Sequence, residues 1–197
     1  MGCASITALQ TAKTLPKHKF AHTVAGGPSN SKLKLDSATD GTSFWGVDYL
    51  GRFGLTDQDE VSVRVANWAT YLEAGYKRSL IGDGPVLLSV GAGLGYTGFT
   101  SYSSSSSSGD IRVDIVDFSI PLYVDFVLGE MSTIYLVPRY SFRISQNQES
   151  TDSFSQVGGS GGFKYGKKIG GILELGYLKP MKKNTDGFYQ IMGGMFF

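Results

Sequence analysis

Strict alternation of apolar with small or polar side chains, short turns that alternate with longer polar connections, and aromatics gathered at strand ends predict one fold class. The chain reads as all-β, an antiparallel up-and-down transmembrane β-barrel of about ten strands, with eight as the nearest even alternative. The clearest stretch is residues 86–96, VLLSVGAGLGY. Val86, Leu88, Val90, Ala92, Leu94 and Tyr96 share one face, and Leu87, Ser89, Gly91, Gly93 and Gly95 the other. Side chains of a strand alternate across the sheet, so this strand has one greasy and one bare face.

The same division recurs along the chain. Residues 4–16 hold scattered apolar groups and end at Pro16, as expected of a tether. The first strand, near 18–25, alternates weakly, and residues 30–43 are polar enough for an exposed loop. From Trp45 the pattern firms: Trp45, Val47, Tyr49, Phe53 and Leu55 oppose Gly46, Asp48, Leu50, Arg52 and Gly54. A short turn at 57–60 leads to Val61, Val63 and Val65, opposed by Ser62 and Arg64. A reversal near 67–69 leads to Leu72, Ala74 and Tyr76, opposed by Tyr71, Glu73, Gly75 and Lys77. Residues 82–85 form a tight turn before the central stretch.

Beyond it, the serine run at 103–108 is too polar to pack and reads as a loop. Strand six places Val116, Phe118, Ile120, Leu122, Val124 and Phe126 against Asp117, Ser119, Pro121, Tyr123 and Asp125. After Gly129 and Glu130, strand seven places Ile134, Leu136, Tyr140 and Phe142 against Thr133, Tyr135, Arg139, Ser141 and Arg143. A polar connection at 145–155 precedes a glycine-rich strand at about 156–166, with Phe163 and Tyr165 on one face and Lys164 on the other. Lys167 and Lys168 turn the chain into Ile169, Leu173, Leu175 and Tyr177, opposed by Ile172, Glu174 and Gly176. A last polar loop at 182–186 precedes the terminal strand GFYQIMGGMFF. Pro121 and Pro138 fall inside strands, where a missing N–H implies bulges or weakly paired positions.

A soluble barrel with its apolar face inside would show the same alternation, and three observations decide against it. A narrow lumen has no room for several large apolar side chains from most strands. A water-facing exterior would be rich in Lys and Glu, whereas the second face is mostly Gly and Ser. The aromatics also sort into two girdles: Trp45, Tyr96, Tyr140, Phe142, Tyr177 and Tyr189 at one end, Phe53, Tyr76, Phe126, Phe163, Tyr165 and Phe197 at the other. The 27 glycines, about twice the usual share, and a charged fraction of 18%, against roughly 25% in soluble domains, agree with a lipid-facing exterior. A net charge of +1 supplies no field for nucleic acid, which is not expected as a partner. The lone cysteine excludes an intrachain disulfide.

The whole region 18–197 resembles the small monomeric outer-membrane barrels of Gram-negative bacteria. That resemblance implies a bacterial outer-membrane location, membrane lipid and the barrel-assembly machinery as partners, and Phe197 as the assembly signal. Met195, Ile191 and Tyr189 share the face of Phe197, but the glycine usual five residues before the final aromatic is replaced by Met192, with Gly193 one place late. The start, Gly2 before Cys3, resembles a bacterial lipoprotein trimmed upstream of its lipobox. By that resemblance Cys3 carries a covalent lipid, no other cofactor is expected, residues 1–16 are a lipoprotein tether and residues 17–197 the barrel. N-myristoylation of Gly2 would want Ser or Thr where Ile6 stands.

Inside the barrel, alternation collects Asp48, Glu73, Asp117, Asp125 and Glu174 with Arg52, Arg64, Lys77, Arg139, Arg143 and Lys164. A three-residue turn at 129–131 would set Asp117 directly across from Arg143. Such a balanced set either interlocks to plug the lumen or lines a small selective pore. Gly159, Gly161, Gly171 and Gly193 fall on the lipid side, a candidate strip for self-association or lipid docking. His18 and His22 lie on the weakest strand outside any Ser, His and acid motif, and no metal-ligand spacing occurs, so neither a catalytic nor a metal site is expected. The leading functional expectation is a lipid-anchored, non-catalytic outer-membrane barrel with a structural, envelope-interaction or adhesion role through its polar loops. A narrow charge-lined pore or transporter for small solutes is the alternative, and a lipid-active enzyme comes third.

Overall fold

A computed structural model describes residues 7–31, 42–66, 70–101, 111–147, 150–182, 185 and 187–197. Ten strands follow one another: β1 (Phe20–Ser31), β2 (Thr42–Gly54), β3 (Asp59–Ala66), β4 (Tyr71–Ile81), β5 (Val86–Ser101), β6 (Ile111–Val127), β7 (Ser132–Asn147), β8 (Thr151–Gly166), β9 (Gly170–Pro180) and β10 (Phe188–Phe196). Every strand pairs antiparallel with its sequence neighbours, and β1 pairs with β10 to close the ring. At that seam His22 and Phe197 exchange both main-chain hydrogen bonds, at 2.8 and 3.0 Å. Closure leaves no sheet edge unpaired, which a lipid-embedded sheet requires.

The connections after β2, β4, β6 and β8 are short and lie at one rim, called here the short-turn rim; the other is the long-loop rim. Gly84 (φ 97°) and Gly166 (φ 122°) take left-handed backbone at the short-turn rim, where a side chain would be strained. The strands extend further than alternation suggests. β1 runs to Ser31 rather than ending near 25, β6 starts at Ile111, and β7 and β8 continue through most of the connection expected at 145–155. Most of the expected loop at 30–43, and the serine run at 103–108, lie outside the described residues. Long polar strand ends carry no apolar alternation, so pairing rather than periodicity defines them. β5 to β8 have 16 or 17 residues each, against about 9–11 needed to cross a bilayer, and so rise above their neighbours at the long-loop rim.

The outer wall is apolar: Trp45 is 74% exposed, Ile120 59% and Leu173 58%, each on the face that alternation assigned. The β5–β6 pairing lapses at Pro121, between Val90 and Gly93 on β5, and the β6–β7 pairing lapses at Pro138, between Leu136 and Arg139 on β7. The register is unchanged across these gaps, so each proline weakens one ladder without a bulge. The register shift in this part of the barrel is instead between Ser79 and Ile81.

Inward glycines make room for tyrosines. A Cβ on Gly95 would lie 2.6 Å from the Tyr71 hydroxyl, one on Gly91 would lie 3.1 Å from the Tyr123 ring, and one on Gly162 would run into the Tyr135 ring. Small residues inside thus offset large ones on the next strand, which keeps a narrow lumen filled. Gly95→Val is expected to force Tyr71 aside and to cost about 1–3 kcal/mol, as overpacking does. The measurement is the urea midpoint of the refolded protein in detergent. Gly171→Val, on the outer face with its nearest non-neighbouring atom at 3.8 Å, should leave that midpoint nearly unchanged.

Candidate functional site

The lumen holds the expected charged residues and one element that alternation did not foresee. Residues 7–12, read from sequence as part of a tether, are buried inside the barrel. The chain turns back at Pro16 to Lys19, where His18 has left-handed backbone (φ 61°) and donates from its N–H to the Gly54 carbonyl at 2.8 Å. From this hinge at the short-turn rim the segment runs up the lumen. The boundary expected between residues 16 and 17 falls at this reversal of direction. Cys3, with the lipid expected on it, lies outside the described residues.

Most hydrogen bonds that hold the segment run between its main chain and wall side chains, joined by side-chain bonds from Gln10 to the Tyr123 hydroxyl at 2.7 Å, from Lys77 to Gln10 at 3.4 Å and from Arg64 to the Thr7 hydroxyl at 3.0 Å. Glu60 on β3 accepts from Leu15 N–H at 2.9 Å, and Asp125 on β6 accepts from Ala12 N–H at 2.7 Å and Lys13 N–H at 3.3 Å. Glu174 on β9 accepts from Leu9 N–H at 2.7 Å and also from Ala8 N–H. Leu9 has left-handed backbone (φ 53°), a bend that brings successive N–H groups onto one carboxylate as in an anion nest. The carbonyls are bound as well. Lys77 on β4 donates to Thr11 at 2.9 Å and Lys13 at 3.3 Å, Ser89 on β5 to Ala12 at 2.5 Å, and Arg64 on β3 to Thr7. Bonds to charged groups contribute about 1.5–3 kcal/mol each, so the segment is held firmly without strand pairing.

Its side chains find apolar sockets. Ala8 and Ala12 pack with Leu87, Tyr123, Tyr135, Val137 and Ile172, and Leu9 packs with Ala25, Leu50 and Met192. Met192, where the assembly signal usually has glycine, is wholly buried in this contact, while Gly193 faces out.

Around and above the segment the charges interlock. Glu60 lies 3.0 Å from Lys77 and 3.7 Å from Arg52, and Arg64 pairs with Asp48. Asp117 stands directly across from Arg143 and accepts from it at 2.6 and 3.0 Å. Tyr71 donates to Glu73 at 2.9 Å and Tyr135 to Glu174 at 2.7 Å. Lys164 lies 4.2 Å over the Phe196 ring, and Arg139 is buried on the same inner face of β7 as Arg143. Glu60 escaped the sequence reading because it was assigned to a turn; it is the second residue of β3 and faces in.

The remaining candidates lie on the outer wall. Gly159, Gly161, Gly171 and Gly193 do face outward, but the register sets each across from a large residue: Tyr177, Leu175, Met195 and Leu173 respectively. No two of these four are register partners, and on its other side Gly193 stands across from Gly26 of β1. Phe197 is exposed at the short-turn rim with its ring 5.7 Å from His22, and His22 Nδ1 is 2.7 Å from the Tyr49 hydroxyl. His18 stacks on Phe53 with ring centroids 6.3 Å apart, so both histidines belong to an aromatic patch on the outside, away from the lumen charges. Among the described residues there is no group of three or more His, Cys, Asp or Glu able to hold a metal ion.

No family model matches the chain, and no curated protein matches it. Among solved structures it is similar to Ail, the attachment invasion locus protein of Yersinia pestis, at 11% identity and a TM-score of 0.39, over 92% of this chain and 99% of that one.

Proposed function

We propose that this chain is a bacterial outer-membrane barrel that is sealed at rest, is non-catalytic, and serves as a scaffold presenting polar hairpins beyond the long-loop rim. The observation that carries the reading is the lumen filled by the chain's own N-terminal segment and bonded to it from several sides. The apolar outer wall between two aromatic girdles supports a bilayer as its surroundings. The hairpins of β5 to β8 are the part of the barrel long enough to reach partners beyond the membrane surface.

In a Trp68→Phe background, Trp45 fluorescence of the refolded protein should be quenched by lipids brominated along their acyl chains. Absence of quenching would sink the membrane reading. In a planar bilayer the inserted, uncut chain is expected to pass no current, whereas discrete openings would favour a charge-lined pore over the sealed scaffold.

A further inference from the structure

We propose that the lumen is a binding site for a peptide segment entering from the short-turn rim, and that residues 7–15 are its resident, exchangeable occupant. The proposal rests on the sealed-barrel reading and goes beyond it, because it assigns the lumen a ligand class.

Three features separate the segment from the fold around it. The ring of ten strands closes completely through its own ladders, and residues 7–15 belong to none of them. The wall recognises main-chain groups: three carboxylates take its N–H groups, and a lysine, an arginine and a serine take its carbonyls. Recognition of this kind asks for a backbone that bends as at Leu9, for side chains that fit the sockets, small at Ala8 and Ala12 and aliphatic at Leu9, and for a polar side chain at Gln10 to meet Tyr123 and Lys77.

A way out is also present. A cavity of about 530 Å³ lies at the short-turn rim beside the segment, lined by Thr11, Lys13, Asp125, Lys164 and the turns at 82–84 and 129–131. The hinge at Lys17 to Lys19 is exposed, so the segment leaves by the mouth at which it enters. Carboxylates left without their amides would be costly to keep buried, so an emptied lumen favours a new segment or water.

The test uses the full chain with a specific protease site inserted between Lys17 and His18, folded first and cut afterwards. A fluorescent synthetic peptide of residues 7–17 is then added in detergent. The expected result is saturable uptake of one peptide per cut barrel and none by the uncut barrel. Cut barrels in a planar bilayer should open, and the same peptide should close them from the short-turn side only. A peptide N-methylated at Ala8, Leu9 and Ala12 keeps every side chain but loses the N–H donors. It should bind more weakly by about tenfold or more for each blocked amide.

Failure of the cut barrel to take up peptide overturns the proposal, as does equal binding of the methylated peptide. Loss of the compact, heat-modifiable gel band on cutting overturns it too, because the segment would then be part of the fold. Current through the uncut chain would instead defeat the sealed-barrel reading, while peptide uptake still decides the binding site.

Discussion

Glu174→Ala is expected to lower the barrel's stability by about 3 kcal/mol or more, since each buried donor left without its acceptor costs about 1–3 kcal/mol. The carboxylate is 1% exposed and accepts from Ala8 N–H, Leu9 N–H and the Tyr135 hydroxyl, all of which would be left in the lumen without it. The readout is the urea midpoint at which the compact gel band disappears. Glu174→Gln keeps an acceptor of the same shape without the charge and should lose roughly half as much. The effect has a specific signature: once the segment has been cut and washed out, Glu174→Ala should cost much less, because only the Tyr135 bond remains to be lost. Equal cost with and without the segment would show that Glu174 serves the wall alone.

Arg64→Met should be similarly damaging, by about 3–5 kcal/mol. Its guanidinium, 3% exposed, joins Asp48 on the neighbouring strand to the Thr7 carbonyl and hydroxyl. Pairing the change with Asp48→Leu removes the buried charge as well, and replacing a buried pair by apolar groups is often close to neutral. The double variant should therefore recover most of the loss, and the part not recovered is the share owed to Thr7. A double variant no better than the single one would mean that the Asp48 charge is compensated by other groups of the wall.

Most of the barrel was legible because its code is the simplest available: period-two alternation assigns each side chain a face without knowledge of any partner. The inward position of Asp117 and its place opposite Arg143 follow from parity and a short turn alone. The N-terminal segment escaped because its polar interactions are made largely through its backbone, and an amide bonded to a distant carboxylate leaves no trace in local periodicity. The clue lay in the exceptions. Leu50, Leu87 and Ile172 are apolar residues on an otherwise small or polar face, and each lines a socket for the segment. Glu60 was lost for a local reason, since a run of polar residues reads as a turn until pairing shows where the strand begins.

The groups that clasp the segment come from five staves of the barrel: Glu60 and Arg64 on β3, Lys77 on β4, Ser89 on β5, Asp125 on β6 and, on the far side, Glu174 on β9. The β10–β1 seam lies between the two extremes of that set. In an open sheet β3 and β9 lie far apart, so no single short segment could reach Arg64 and Glu174 together. Its binding energy is available only to the closed ring, and linkage returns that energy as a bias towards closure. The segment thus acts as the hub of a wheel, tightening the rim by drawing on all its spokes at once.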